Sequence, residues 1–336
     1  MPILTPARLG SLVRRLLAAA GTPEDITDYV ADSLIKSNLK GVDSHGVMNL
    51  PWYLEEIERG TVKPANRPTI ESETPTTAKL RGHGGLGIYG LGQATELAVE
   101  KAQAQQVATV ALVDCSHTGR IGQFAEWAAR RHMFAMVIGG GGYRQGPTVV
   151  PFGGAANILG TNPYAFALPG GRFGPIVVDF ATSVTSAGKI AVHLAENKPI
   201  PEGWLLDKHG KPTTDPADFF DGGMQLPAAG HKGYGLALIA ELIGEALLSF
   251  PPEYNWLVVA IDLGTFRPAA DYAATAEAYL QKVKDVPPAS GFDRVRLPGE
   301  PKVHTTREQE RNGILVSKSL WAEIEEAAAK LGVAVE

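Results

Sequence analysis

Leu9, Leu12, Val13, Leu16 and Leu17 recur at helical spacing, and Thr5-Pro6 and Thr22-Pro23 each place a capping hydroxyl before a proline suited to a first helical position. Gly21 and Gly41 stand where two such helices should stop, so the chain is expected to open with two amphipathic helices. A third is expected over 50–59, ending at Gly60. Residues 77–81 instead alternate apolar and polar, whereas 107–114 and 134–139 are nearly continuous apolar runs that predict buried strands. Helices are expected over 93–105 and 121–131.

The stretch 149–183 sets short β-type runs between glycine turns and places Thr161, Asn162, Asp179, Thr182 and Ser183 where those runs stop. Polar groups at the ends of buried strands are where α/β proteins usually keep their chemistry; tight turns that need Gly, Asn and Pro would account for the same residues. A helix carrying Lys189 is expected over 186–195, then a loop over 199–218. Beyond the run 230–235, Leu236, Leu238, Ile239, Leu242, Ile243 and Leu247 make a helix apolar nearly all round, which predicts a central, buried position. A strand over 257–262, a helix over 270–284, a connector over 286–290, a turn at 298–300 and helices over 306–311 and 320–331 complete the chain.

A length of 336 residues exceeds the size at which one core usually stops growing, so two packed units are expected. The net charge of -5, with no block of Lys and Arg, offers nothing to a phosphate backbone, and nucleic acid is not an expected partner. With Cys115 as the one cysteine, neither an intrachain disulfide nor a cysteine metal cluster can form, and no metal is expected. Arg14 and Arg15 interrupt the first apolar run as a signal-peptide core, and Glu241 and Glu245 count against a membrane span in the apolar helix. The cytoplasm is the expected compartment.

His-Glu-x-x-His and Gly-x-Ser-x-Gly are absent, and Gly188-Lys189 is followed by Ile190 rather than the hydroxyl a P-loop needs. The run 82–87 matches the dinucleotide fingerprint letter for letter, with Asp114 ending the next strand. The alternating run before it is not the first strand of a buried parallel sheet, so a glycine-rich turn leading into a helix is the preferred reading. What remains is His45 and His117 on glycine-flanked loops, Asp179, and several turns open to anions. Hydride transfer to a carbonyl needs little more, because imidazole titrates near neutrality and can carry the accompanying proton. A carboxylate such as Asp179 on the far ring nitrogen would orient His45, although His45 alone could equally be a surface cap. Lys232, at the start of the apolar helix, offers a seat for a phosphate or carboxylate.

Eight runs, taken in order, resemble one family. They are Asp43-Ser44-His45-Gly46, Ser116-His117-x-Gly119, Val150-Pro151-Phe152-Gly153-Gly154, Gly160-Thr161-Asn162-Pro163, Asp179-x-Ala181-Thr182-Ser183, Gly188-Lys189, Lys232-Gly233-Tyr234 and Pro298-Gly299-Glu300. Together they are similar to the malate/L-lactate dehydrogenase type 2 family of NAD(P)-dependent oxidoreductases. That family also holds ureidoglycolate, sulfolactate and diketogulonate enzymes and a cyclic imine reductase. The run 117–122 is similar to the hydroxycarboxylate dehydrogenase B type, which implies reduction of 2-oxo acids and a slight preference for NAD over NADP.

The resemblance implies an α/β fold that is not a Rossmann domain: a largely antiparallel mixed sheet with helices, plus a helical unit formed by both chain ends. The expected division is 1–75 with 296–336 for the helical terminal unit and 76–295 for the cofactor-binding domain, in a homodimer. His45 then stands as proton carrier, with His117 as the rival for that role, and Asp179 as its orienting group. Asn49, Tyr53 and Arg120 are expected to meet the substrate. Ser44, Thr161, Asn162, Asp179, Ala181, Thr182, Ser183, Lys232, Gly299 and Glu300 match cofactor-contacting positions.

Two departures stand out. Many members carry Arg where this chain has Asn49, which supplies no charge to a substrate carboxylate. Arg120, Arg144 or Lys189 would have to take over, or the substrate is not a simple acid. The connection 249–257 is also short, which bears on the pocket or the dimer contact. A reductase of a cyclic imine amino acid and a catalytically inactive nucleotide-binding homologue are the alternative readings.

Overall fold

Thr5 caps the first helix as its position predicts, accepting a hydrogen bond from the Arg8 amide at 3.2 Å with Pro6 opening the helix. The computed structural model describes residues 2–142, 146–250 and 254–335. Its amino-terminal part runs β1 (Ile3–Leu4), α1 (Pro6–Ala19), α2 (Glu24–Leu39), two short 3-10 turns (Asp43–His45 and Val47–Asn49) and α3 (Leu50–Glu58). Next come β2 (Thr69–Glu73), β3 (Thr77–Gly85), α4 (Gly87–Gln105), β4 (Val107–Cys115), α5 (Gly122–Ala129), β5 (Met133–Gly140), β6 (Tyr164–Leu168) and β7 (Ile176–Phe180). α6 (Ala187–Ala195) leads to β8 (Leu205–Leu206), β9 (Pro212–Thr213), α7 (Ala217–Phe220) and β10 (Met224–Gln225). α8 (His231–Leu242) continues as a wider π-type turn, Ile243–Leu248. The chain ends with β11 (Asn255–Asp262), α9 (Ala269–Lys284), α10 (Glu300–Asn312), β12 (Ile314–Leu315) and α11 (Lys318–Lys330).

Seven strands form the main sheet in the order β2-β3-β4-β11-β5-β6-β7. β3 and β4 are its parallel neighbours; the remaining pairs are antiparallel. This is the largely antiparallel mixed sheet expected. Its strands bury Val110, Leu112, Val137 and Val258 against Leu91, Ala94 and Ala98 of α4 and Phe124 and Ala128 of α5. A second apolar cluster joins Leu9, Leu16, Val30 and Leu34 to Ile314, Ile324 and Ala328, so both chain ends build one helical unit, closed by the β1–β12 pair. β2 lies on the amino-terminal side of residue 75 yet pairs with β3 as an edge of the sheet.

β3, α4 and β4 do make a parallel βαβ unit, but Gly82, Gly85 and Gly87 are packed against protein backbone. A Cβ on Gly82 would lie 2.7 Å from the Asp114 carbonyl oxygen, one on Gly85 2.7 Å from that of Asn66, and one on Gly87 would strike the Ser116 carbonyl. The run 82–87 thus lets β3 and α4 close on the end of β4. Asp114 is held by Arg81 at 2.8 Å.

α8 corrects the expectation of a helix buried on every side. Its small residues Gly233, Ala237 and Ala240, with Gly244 in the π-type turn, face the protein, and any Cβ on Gly140 would collide with the Ala240 carbonyl. That backbone-to-backbone seat needs small residues, so the large ones point outward: Leu236, Leu238, Ile239, Leu242 and Leu247 are exposed, Ile239 by 53% and Leu247 by 66%. Among the described residues no helix is long and apolar enough to cross a membrane, and no group of three or more His, Cys, Asp or Glu is placed to hold a metal ion.

Candidate active site

The end of α2 builds one wall of a deep cleft. Asn38 donates to Asp43 Oδ1 at 2.6 Å and accepts from the Val47 amide at 2.8 Å, folding residues 43–49 into the paired 3-10 turns that present His45. Ser44 Oγ lies 3.0 Å from His45 Nδ1, and Asn49 donates to the Ser44 carbonyl at 2.8 Å. The Asn49 amide is therefore engaged in shaping the turn.

The opposite wall is the corner between β4 and α5. It carries His117, whose Nδ1 lies 2.7 Å from the Tyr53 hydroxyl. Tyr53 is fully buried and reaches His117 from behind, so it positions that ring rather than lining the cleft as expected. The His45 and His117 rings face each other with centroids 5.7 Å apart, and Trp52 stands edge-on to His117 at 6.1 Å.

Arg120 is buried at 4% exposure, where an unpaired charge would be very costly. Its guanidinium lies 3.3 Å from Glu126 and 3.8 Å from Asp179, while Lys40 reaches the same Glu126 oxygen at 2.6 Å. Its Nε, also buried, has no hydrogen-bond partner among the described residues. Asp179 Oδ2 accepts from the Gly122 amide at 3.1 Å, and a Cβ at Gly122 would lie 2.5 Å from that oxygen. Asp179 makes no hydrogen bond to His45, contrary to expectation; it acts on the ring through its field.

These surroundings separate the two imidazoles. Burial, with His45 adding repulsion, pushes the His117 pKa down to about 4, so His117 is neutral near pH 7. Burial also lowers His45, with Arg120 and Lys302 acting in the same direction, but Asp179 opposes the fall. Desolvation raises the tyrosine pKa at Tyr53, which keeps its hydroxyl protonated. Glu126 is drawn down to about 2 because Lys40, Arg130 and Arg120 outweigh its burial.

A buried carboxylate shapes the floor. Glu241 of α8 accepts from Gly141 N at 3.0 Å, Gly160 N at 2.9 Å and Asn162 Nδ2 at 2.9 Å. Thr182 donates through both amide and hydroxyl to the Thr161 carbonyl, at 2.8 and 3.0 Å. Asn162 and Thr182 are thus buried supports, and Ser183 Oγ donates to the Thr185 carbonyl at 2.7 Å.

The cleft has a volume of about 1150 Å³, and its walls include Ser44, His45, Asn49, His117, Arg120, Thr161, Asp179, Ala181 and Ser183. Lys232, Gly299 and Glu300 are not among its lining residues in a single chain; Lys232 is exposed on α8, and Glu300 pairs with Lys284 at 2.7 Å. Arg144 and residues 251–253 of the short connection lie outside the described residues. Lys302, from the first turn of α10, lines the cleft and was absent from the expected site; nothing in its local sequence marks it. The volume suits a dinucleotide beside a small acid, and the buried Arg120 Nε, Thr118 Oγ1 and Thr185 Oγ1, all on cleft-lining residues, lack partners among the described residues. The residues present therefore fit a nicotinamide cofactor.

Comparison with known proteins agrees with this geometry. Residues 4–325 match the family model described as malate/L-lactate dehydrogenase. L-sulfolactate dehydrogenase of Methanocaldococcus jannaschii is 34% identical, covering 99% of this chain and 98% of that protein. Hydroxycarboxylate dehydrogenase B of Escherichia coli K12 is 33% identical over 98% of this chain and 94% of its own length. The solved structure of sulfolactate dehydrogenase from M. jannaschii superposes with a TM-score of 0.91 at 32% identity, covering 99% of this chain and 98% of that one.

Proposed function

The chain belongs to the malate/L-lactate dehydrogenase family and is a hydroxy-acid dehydrogenase, and from that premise we propose how its own residues carry the reaction. It interconverts a 2-oxo acid and its 2-hydroxy acid with a nicotinamide cofactor, NAD in preference to NADP. The carrying observation is that His45 and His117 meet at 5.7 Å across a cleft that also holds Thr161 and Asp179, although these groups lie far apart in the chain.

The bound cofactor supplies the hydride. His45 delivers the proton to the developing alkoxide and takes it back in the reverse direction, its charged form favoured by Asp179. His117, neutral and fixed by Tyr53, has its Nε2 available to orient the carbonyl oxygen. The Arg120–Glu126–Asp179 cluster keeps this wall rigid and its field constant. Ser44, Thr161, Ala181 and Ser183 border the cofactor's place. Asn162 and Thr182 support it from beneath. The division into a terminal unit, 1–75 with 296–336, and a cofactor-binding domain, 76–295, is consistent with a cleft whose walls come from both.

A homodimer is part of the same proposal, because the outward row on α8 is an apolar surface that association would cover. Lys232, Gly299 and Glu300 are assigned to the cofactor in that assembled form. A panel of 2-oxo acids, with a cyclic imine acid as control, followed at the nicotinamide absorbance with NADH and NADPH, tests the reading. Turnover of at least one 2-oxo acid, faster with NADH, is expected, and sedimentation of the same preparation should give the mass of two chains. Imine-only turnover, or cofactor binding with no turnover of any acid, would sink it.

A further inference from the structure

We infer that Lys302 holds the carboxylate of the substrate, the task that Asn49 leaves open; this rests on the 2-oxo acid reading above. Among the described residues three strong cations line the cleft: Arg120, Lys189 and Lys302. Arg120 is already committed to Glu126 and Asp179. Lys189 is exposed on α6, outside the group of charges around His45. Lys302 is half-buried, and no hydrogen bond or ion pair engages its ammonium among the described residues.

The charges behind His45 do not balance. Lys40, Arg120 and Lys302 share the field of Glu126 and Asp179, three cations to two carboxylates. Arg130 meets Glu126 from the surface, 60% exposed, and is left to solvent. A half-buried cluster that is one anion short has room for an anion, and burying a cation without one is unfavourable. Burial accordingly depresses the Lys302 ammonium, with Arg120 adding to the effect and Asp179 and Glu126 opposing it.

The position also suits the chemistry. The charge of Lys302 is felt at His45, so an anion on Lys302 lies near the proton-carrying ring. In a 2-oxo acid the carboxylate sits on the carbon next to the reacting carbonyl, which makes these two residues neighbours in function. One helix sets both: α2 ends in the turn that presents His45, and α10 comes so near its end that a Cβ on Gly41 would lie 3.1 Å from Thr305. Asn49 donates to the Ser44 carbonyl and has no charge to give. An ammonium is a compact point charge with three donors, suited to one carboxylate held end-on.

The test uses full-length enzyme loaded with NADH and oxamate, a pyruvate isostere whose amide carbonyl is not reduced. Calorimetry on Lys302→Gln should show oxamate binding weakened by about 30- to 100-fold, the lower end of the cost of removing one partner of a buried charge pair, as befits a half-buried ammonium. Lys302→Arg should recover most of it, and NADH binding should stay near wild type in both. For pyruvate, KM should rise far more than kcat falls. Unchanged oxamate binding in the Gln variant, or none in the wild type, overturns the proposal. So does an equal loss of NADH affinity, which would give the ammonium to a cofactor phosphate. Oxamate binding that depends on Lys302 without turnover of any 2-oxo acid would keep the carboxylate site and reject the dehydrogenase reading.

Discussion

The two walls of the cleft hold their polar groups in opposite ways. On the sheet side, His117, Arg120 and Asp179 are tied to protein partners: Tyr53 at 2.7 Å, Glu126 at 3.3 Å and the Gly122 amide at 3.1 Å. On the helical side, His45 has only its neighbour Ser44, and Lys302 has no bonded partner among the described residues. Groups tied from within fix a shape even where, as at Arg120 Nε, one donor stays open, whereas side chains with no such tie await something from outside. In the proposed reaction the sheet wall is the frame, and the helical wall is where proton and charge are exchanged with the substrate.

This contrast breaks most visibly if the frame and the exchanging group are exchanged in experiment. His45→Ala should cut turnover by about 10²- to 10⁴-fold, with NADH binding preserved and folding stability changed by under about 1 kcal/mol. Stopped-flow reduction beside chemical denaturation reads both quantities; wild-type turnover would remove His45 from the mechanism. Arg120→Met should do the reverse at first sight, losing about 3 kcal/mol of stability because Glu126 and Asp179 lose a buried partner. A denaturation midpoint equal to wild type would show that the frame does not depend on that cluster.

A smaller effect sharpens the comparison through pH. His117 has its pKa lowered to about 4 in the folded chain, against an ordinary 6.5. The unfolded chain therefore binds more protons between those values, so stability is full above about 6.5 and declines as pH falls toward 4. Glu126, held at about 2, stays ionised in the folded chain throughout that window and adds a slope of its own only at the acid end, where the unfolded chain takes up the proton near its ordinary 4.5; that slope is common to wild type and a His117 variant. His117→Phe should flatten the fall in folding free energy between pH 6.5 and 4, by about 3 kcal/mol at the acid end, read by chemical denaturation at each pH. An identical slope in both proteins would place the acid sensitivity elsewhere.

Much of the frame was legible because burial on both faces writes itself as continuous apolar runs. β4, β5 and β11 were located that way, with ends displaced by one or two residues. β2 was not, since Thr69–Glu73 is exposed throughout and carries no periodic signal. α8 misled for the opposite reason: its residues are apolar on all sides, and periodicity alone does not say that Gly233, Ala237 and Ala240 make the contact while the leucines face outward. In the site, His45 and His117 stand out through their glycine-flanked runs and Asp179 as a polar group at the end of a strand, and the structure brings them into one cleft. What the runs do not encode is distance between segments. The absence of a His45–Asp179 hydrogen bond, the placement of Tyr53 behind His117, and Lys302 entering from the far end of the chain depend on packing between remote elements.

Glu241 has one more consequence. It grips Gly141, Gly160 and Asn162 from a helix whose other face is a row of exposed leucines, so the outer surface of the molecule is tied to the loop ends beside Thr161. Whatever comes to rest on that row therefore bears, through Glu241 and the carbonyls of Leu236 and Ala237, on the supports beneath the proposed cofactor site.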